Sequence, residues 1–466
     1  MENTQIFKRY LNPNKLQEIE EGKEGKEAFF NLIETIPRNL TEEAFNEEVA
    51  DLIIEYTHMI MLKSTKDVYI YNYTTHRWES KGEIWLQRLV YEVTKSVDET
   101  NLWYRERNTC EHIKRKLCML ETFSDDYLVL TNGTFDRRTG EIIESQSNHY
   151  AHFFSTVVYD SEKKCARFLQ FLNEVFYSDQ STIAFVQEWF GYVLLSSHQA
   201  NAFLIGYGSG ANGKSLLFAL LAKLVGECNT SSSGISAFQS RFGMEVMHNK
   251  LLNLATESDV NSFETATLKA VTAGEPITLN RKGIKEITCI LPAKFIFLMN
   301  HLPLITDSSY GFSRRLLILP FPRTFRPEEQ DPFLLEKMTL ELSGILNFAL
   351  EGAKRLIKNG YQFTISDLMN EAKEQFLGCV HPLSYFKAHY LSKNPTRKVE
   401  SNLLFQTFQK MLKEKNWSAR QYGTLRSFNK GLIELFEAEG FVISTKKSNG
   451  KTYLSGIVLN QSIQEL

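Results

Sequence analysis

A chain of 466 residues is too long for one hydrophobic core, so two to four domains are expected. Its composition, 43% apolar and 23% charged with a net charge of −2, is that of a globular protein and excludes a fibrous or low-complexity chain. The sequence holds no apolar run long enough to span a bilayer and opens without a basic-then-apolar signal, so a cytoplasmic protein without membrane contact is expected.

The six cysteines (110, 118, 165, 228, 289 and 379) show neither C-x-x-C spacing nor pairing with His at zinc intervals. They read as reduced, mostly buried thiols, and neither disulfides nor zinc are predicted. Charge is uneven along the chain: residues 1–60 hold 13 acids and 6 bases, whereas residues 381–466 hold 13 bases and 6 acids. A nearly neutral protein that gathers its bases in one module is suited to a polyanion there.

In chain order, residues 1–60 are acidic and helix-prone, with Thr41, Glu43 and Phe45 marking a helix start. The alternating aromatics between Asp67 and Trp78 read as a hairpin, followed by a helix over 84–94. Asn132-Gly133 between two apolar runs predicts a second hairpin. Residues 161–196 carry helical periodicity, through Phe168, Phe171, Leu172, Val175, Phe185 and Trp189, and lead into a strand at 202–205. Further strand-like runs at 251–255, 293–299 and 316–319 alternate with helical ones, the pattern of a three-layer α/β sandwich. A linker is expected near 378–382.

The strand at 202–205 ends in Gly208-Ser-Gly-Ala-Asn-Gly-Lys-Ser215, which matches G-x-x-x-x-G-K-[ST] and is followed by an apolar helical run. Glycines let successive backbone amides turn inward on phosphates, and the helix adds its positive end. The nucleotide-binding set is therefore Gly208, Ser209, Gly210, Ala211, Asn212, Gly213, Lys214, Ser215 and Leu216, with Lys214 on the β- and γ-phosphates of ATP and Ser215 on Mg²⁺.

A phosphate-loop enzyme needs a second strand ending in acid, to hold Mg²⁺ and the attacking water. The run after Lys250 supplies Glu257 for both tasks; Asp259 is either a Mg²⁺ partner or a solvated residue. A third strand ends in Asn300, placed to sense the γ-phosphate. Arg314 and Arg315 precede the next strand; one of them would stabilise the charge that spreads over the transferred phosphoryl, and the pair leaves open which. Between these lies a predicted hairpin with Arg281, Lys282 and Lys285 at its tip, suited to nucleic-acid phosphates or else a solvated turn.

The carboxy-terminal segment shows amphipathic helices over 401–417 and 424–439, then alternating strands around Asn449-Gly450. Helix, helix and basic-tipped hairpin describe a winged helix. Its second helix would place Arg426, Asn429 and Lys430 in the major groove, and Lys446, Lys447 and Lys451 would meet phosphates from the wing. The alternative is a winged helix used for protein contacts alone.

The ordered set of the phosphate loop, Glu257, Leu268-Lys-Ala-Val-Thr-Ala-Gly274-Glu, the basic hairpin, Asn300-His-Leu-Pro303 and Arg314-Arg315 resembles the superfamily 3 helicases, AAA+ ATPases of phages, plasmids and viruses. Thr131-Asn-Gly-Thr-Phe-Asp136 and Gln187-Glu-Trp-Phe-Gly-Tyr192 extend the likeness to their primase-helicase branch. The chain is similar to the replication initiator helicases of staphylococcal pathogenicity islands and related mobile elements. The paired acids common in that superfamily are reduced here to Glu257 after Thr256, and the 60 residues ahead are too few for a primase, so no primer synthesis is predicted.

This resemblance implies an acidic helical region at 1–60, an α+β pre-helicase domain at 61–160, a helical collar at 161–200, an AAA+ core at 201–370 and a winged helix at 380–466. It also implies a homo-hexamer in a bacterial host, hydrolysing ATP with Mg²⁺ between subunits. The ring would act on single-stranded and forked DNA, bind double-stranded origin DNA and work with a primase or host replication proteins. The competing expectations are a phosphate-loop ATPase that remodels or loads replication proteins without unwinding, and a non-enzymatic origin-binding regulator.

Overall fold

The computed structural model describes residues 8–15, 36, 40–95, 102–256, 265–282, 284–300, 310–380, 382–415, 417, 419, 422–437, 439–448 and 450–460. Thr41 begins the first helix, α1 (Glu42–Tyr56): its hydroxyl accepts from the Ala44 amide at 3.3 Å, and Glu42 and Glu43 meet the positive end of the helix. Phe45, Val49, Ala50 and Ile53 repeat at helical spacing and bury that face.

Against it lies a four-stranded sheet of order β3-β2-β1-β4, formed by β1 (Met59–Leu62), β2 (Val68–Asn72), β3 (Arg77–Glu79) and β4 (Cys118–Leu120). The helices α2 (Gly82–Lys95) and α3 (Leu102–Lys116) complete this unit, with Leu86, Leu89, Val90 and Ile113 in its core. The hairpin expected between Asp67 and Trp78 is the β2–β3 pair.

A second sheet runs β7-β6-β5-β8, from β5 (Ser124–Leu130), β6 (Gly133–Asp136), β7 (Glu141–Ile143) and β8 (Ala151–Phe154), with the Asn132-Gly133 turn joining β5 to β6. Two helices come next, α4 (Ala166–Val175) and α5 (Gln180–Leu194). Arg137, fully buried, ties the second sheet to the end of α5 by donating to the carbonyls of Leu194 at 2.9 Å and Leu195 at 3.2 Å. A third donation goes to the Asp125 carbonyl. Burial pushes the Arg137 guanidinium down to about 10, so it keeps its charge and the three carbonyls around it have a permanent donor.

The central sheet has order β10-β11-β14-β9-β15, every pair parallel: β9 (Phe203–Tyr207), β10 (Thr230–Ser231), β11 (Leu252–Thr256), β14 (Lys294–Met299) and β15 (Leu316–Pro320). Its strands are apolar on both faces, as parallel strands covered on both sides must be. Alternate residues fall into two separate cores. Leu204, Ile296 and Leu298 pack with Leu217, Phe218 and Leu221 of α6 (Lys214–Val225). Phe203, Ile205, Phe295 and Phe297 pack on the other side with Leu268 and Val271 of α7 (Thr265–Thr272). The antiparallel pair β12 (Ile277–Arg281) and β13 (Ile284–Cys289) is inserted ahead of β14.

Beyond β14 lie the short α8 (Tyr310–Ser313), α9 (Leu334–Thr339) and the long α10 (Leu342–Lys358). A buried carboxylate locks α10 to α5. Glu188, with no exposed surface, accepts from Arg355 Nε at 2.6 Å, the Thr364 amide at 2.7 Å and the Thr364 hydroxyl at 2.8 Å. Gly352 sits where a methyl group would strike the Gln187 backbone, which lets these two helices approach closely.

Of the segment where a linker is expected, residues 378–380 close one helix and Pro382 opens the next, with His381 outside the described residues. α11 (Asp367–Val380) sends Ala372 and Phe376 into the sheet's second core, and α12 begins at Pro382. Gly378 lies against the rings of Trp417 and Tyr385, so the glycine that suggested a break marks a close contact.

The carboxy-terminal unit comprises α12 (Pro382–Tyr390), β16 (Leu391–Glu400), α13 (Ser401–Glu414), α14 (Leu425–Glu437), β17 (Ser444–Ser448) and β18 (Lys451–Leu459). Sheet order is β16-β18-β17. Both expected helices and the hairpin are present; β16 and α12 add to them. Polar residues and Pro395 hide the β16 strand pattern in the sequence, and the ladder accommodates them with a register shift between Asn394 and Lys398. The cysteines also depart from expectation: Cys110 and Cys165 are buried, whereas Cys118 and Cys228 are exposed. No helix among the described residues is long and apolar enough to cross a membrane.

Candidate nucleotide site and nucleic-acid surfaces

β9 lies between β14 and the edge strand β15, so the loop after it emerges at the sheet's carboxyl edge between those two strands. Two backbone bonds hold its stem: the Gly208 amide donates to Met299 at 3.3 Å and the Phe321 amide to Tyr207 at 2.8 Å. The loop then turns through left-handed backbone at Gly210 (φ 107°), Ala211 (φ 46°) and Gly213 (φ 84°), which carries it into α6. Gly213 is constrained by its left-handed backbone, and an added methyl group would press on the Phe171 ring at 3.0 Å. Gly208 has no room for a side chain, with the Phe321 carbonyl 2.9 Å from where its methyl group would lie. The Phe325 amide donates to Ala211 at 2.8 Å and braces the outer turn.

Lys214 opens α6 with only 6% of its surface exposed. Its Nζ donates to the Gly208 carbonyl at 2.5 Å, Asn212 Oδ1 at 3.2 Å and Asn300 Oδ1 at 3.2 Å. Burial lowers its pKa, an ammonium held short of water and without a carboxylate among these partners. Asn212 is 2% exposed, and its Nδ2 is a buried donor without an acceptor. A cationic Nζ, an orphaned amide donor and left-handed glycines within one seven-residue loop suit the oxygens of a phosphate chain. Ser209 and Ser215 are exposed on the rim, Gly210 and Leu216 half-buried beside it.

Asn300 follows β14 directly, which puts it beside the loop as the order of strands requires. Glu257 and Asp259 lie outside the described residues; β11, the strand leading to them, ends at Thr256 in register with Leu298.

Arg314 and Arg315 lie at the other end of the sheet. β15 starts at Leu316, opposite Phe203, and reaches the loop at Pro320, opposite Tyr207. Four strand steps separate the pair from its own chain's loop by about 13 Å. The two differ in setting. Arg315 is 8% exposed and donates from Nη1 to the Gly311 carbonyl at 2.7 Å, with burial and then the neighbouring Arg314 lowering its pKa. Arg314 is exposed.

At the hairpin tip, Arg281 is half-buried and Lys282 exposed, its amide donating to Glu245 Oε2 at 3.4 Å. Lys285 lies on β13, and its side chain is outside the described residues.

In the carboxy-terminal unit, Phe428, Gly431, Leu432 and Phe436 bury one face of α14, leaving Arg426 and Lys430 exposed, the latter 3.8 Å from Glu434. Asn429 departs from the expected outward placement. It lies one helical step from Phe428, at the border of the buried face, and its Oδ1 accepts from the Ser401 hydroxyl at 2.7 Å. Lys446 and Lys447 are exposed on β17, whereas Lys451 on β18 is paired with Glu400 at 2.8 Å.

Sequence reasoning missed several residues that shape this site: Phe171 and Val175 of α4 behind Gly213, and Phe321 and Phe325 around the loop. All are apolar and carry no motif; adjacency in space is their signal.

Two family models match separate segments of the chain. Residues 206–315, from the end of β9 to the arginine pair, match a family of unknown function (DUF5906). Residues 50–177 match the family described as D5 N terminal like. Among solved structures, the chain is similar to the apo structure of the NrS-1 C terminal region, at 14% identity and TM-score 0.48, covering 86% of this chain and 96% of that one. It is similar at 15% identity and TM-score 0.46, with the same coverage, to the A form of that region.

Proposed function

We propose that the chain is an ATP-dependent DNA helicase and replication initiator of a phage, plasmid or genomic island, built on an AAA+ core of the superfamily 3 type with a carboxy-terminal winged helix. The observation that carries this reading is the placement of Lys214. Its ammonium lies within hydrogen-bond reach of Asn300 at the loop, while Arg314 and Arg315 stand at the far end of the same sheet. An arginine that cannot reach its own nucleotide can serve a neighbour's, which ties hydrolysis to a ring, here a homo-hexamer. The D5 N terminal like match ahead of the core supports the replication context.

In this reading Lys214 gives up its contacts to Asn212 and Asn300 for the phosphates of ATP, and the orphaned Asn212 Nδ2 gains an acceptor. Asn300, released, is left to orient the attacking water, whose proton Glu257 would take. Mg²⁺ with Ser215 and Glu257 would neutralise charge on the phosphates. Arg314, the exposed member of the pair, reaches the neighbouring subunit, and Arg315 supports the turn that presents it. Arg281, Lys282 and Lys285 contact the translocated single strand. Arg426, Lys430, Lys446 and Lys447 bind origin duplex. The division into acidic region, pre-helicase domain, collar, core and winged helix belongs to the same reading. So do a cytoplasmic place in a bacterial host and partnership with a primase or host replication proteins.

The test is strand displacement from a forked duplex with ATP and Mg²⁺, beside DNA-stimulated hydrolysis, in wild type, Lys214→Ala, Arg314→Ala and Arg315→Ala. Unwinding by wild type and its loss in Lys214→Ala and Arg314→Ala are expected. Hydrolysis indifferent to DNA, with no unwinding, would point instead to an ATPase that remodels or loads other replication proteins.

A further inference from the structure

Several basic and aromatic side chains that this reading leaves unused gather on one ridge. Arg77 of β3 lays its guanidinium 3.6 Å from the centre of the Phe154 ring on β8. The Phe154 carbonyl accepts from Asn229 Nδ2 at 2.7 Å, next to Cys228, whose own carbonyl accepts from Lys250 Nζ. Two residues before Lys250, His248 follows the short turn Glu245–Met247, and Glu245 holds the Lys282 amide at the hairpin tip. This chain of contacts, passing through the buried Asn229, ties the tip of β12–β13 to the amino-terminal sheets and sets Arg77, Lys250 and Lys282 along it.

Arg77, His248 and Lys250 are half-buried and Lys282 is exposed. Three acids lie close by: Glu79 on β3 accepts from Tyr10 at 2.9 Å and Asn72 at 2.7 Å, Glu227 pairs with Lys223 at 3.0 Å, and Glu245 accepts from the Lys282 amide at 3.4 Å. The charges are felt locally: burial, then His248 and Lys250, push His152 down to about 4. Beside Arg77 stand half-buried rings. Trp78 stacks on Tyr150 with centroids 5.8 Å apart, and Phe123 lies between Trp78, at 6.4 Å, and His152, at 5.7 Å. Bases along a surface, interleaved with ring faces, are the chemistry that holds single strands; a duplex offers no unstacked base to the rings.

We propose that this ridge is a track for single-stranded nucleic acid, with Arg77, Lys250 and Lys282 on successive phosphates and the Trp78–Tyr150 pair receiving a base. In its use it rests on the DNA-motor reading, extending the hairpin's contact surface back to the amino-terminal sheets.

The experiment measures binding of the full chain to a fluorescent oligothymidylate across about 50 to 200 mM salt. It is joined by photocrosslinking of an iodouracil-substituted strand with peptide mapping. For Arg77→Glu/Lys250→Glu, affinity is expected to fall about tenfold or more, and the salt slope by about 1.4, two phosphates at about 0.7 each. The neutral pair Arg77→Gln/Lys250→Gln, with an unchanged melting temperature, is expected to show the same slope change. ATP hydrolysis without DNA and duplex binding stay as in wild type. Trp78→Ala loses the crosslink mapped to residues 77–78 or 150. Wild-type binding that Lys282→Glu weakens but both double variants leave intact overturns the track and leaves the motor standing. So do crosslinks confined to other peptides. A wild type that binds no single strand fails both.

Discussion

The phosphate loop and the carboxy-terminal unit are both basic sites, yet they are built in opposite ways. At the loop the Lys214 ammonium belongs to a side chain 6% exposed, meets three oxygen acceptors and lies beside Gly208, where even a methyl group collides. On the carboxy-terminal unit, Lys446 and Lys447 stand in solvent on a strand exposed along its whole length. A chemical step needs one geometry, so its residues are interlocked with the core. Contact with a polyanion needs charge density, so its residues can be many, mobile and individually replaceable. A change at the loop should therefore act all-or-none, and one on the carboxy-terminal unit in graded, salt-dependent steps.

The largest effect expected is at the loop. Lys214→Ala should lower ATP turnover by about 10³-fold while leaving the melting temperature within a few degrees, measured by phosphate release and calorimetry. A drop of less than tenfold would end the contrast. The packing behind the loop comes next. Glu188→Gln removes the charge from the buried half of an ion pair whose Arg355 is half-exposed, and should destabilise the core by about 2 kcal/mol, visible as a lower unfolding midpoint in urea. It should weaken nucleotide affinity only in proportion to the unfolded fraction.

On the other side, Lys446→Glu/Lys447→Glu should reduce duplex affinity about tenfold at physiological salt and lower the salt slope by about 1.8, with hydrolysis of ATP untouched. Loss of hydrolysis in that variant would show that the two regions are coupled more tightly than their construction suggests. The smallest effect belongs to Lys451→Ala. Its partner Glu400 already occupies the ammonium, so duplex affinity should fall by about twofold or less, measured by anisotropy.

Acid should also separate the regions. Burial pushes His198 down to about 3, and burial with its basic neighbours holds His152 near 4. Folded values below the ordinary 6.5 mean the unfolded chain binds more protons between about 6.5 and 4. Stability present above 6.5 is therefore lost as pH falls through that window. His198→Gln should flatten the melting temperature against pH; an unchanged slope would remove this histidine from the account.

Local chemistry made much of this legible in the chain. Gly208, Gly213 and Lys214 sit in a motif with narrow backbone demands, and the structure puts left-handed backbone at Gly213 as that motif requires. Thr41 ends up as a cap, and Asn132-Gly133 as a turn, because each acts over three or four residues. The strands β9 and β14 show in the chain as continuous hydrophobic runs, which is enough for parallel strands covered on both faces.

Other properties depended on distant partners, and only the tertiary structure decided them. Gly378 reads as the start of a linker in the chain, but Trp417 and Tyr385 close on it in the fold. Asn429 reads as outward-facing, but Ser401, 28 positions away, donates to its oxygen. Arg314 and Arg315 are equivalent as adjacent letters. The fold buries one and exposes the other, and puts both across the sheet from their own loop. The ridge from Arg77 to Lys282 brings together residues about two hundred positions apart in the chain, so no local pattern could announce it. Backbone conformation is set by neighbours in sequence; charge, burial and reach are set by neighbours in space.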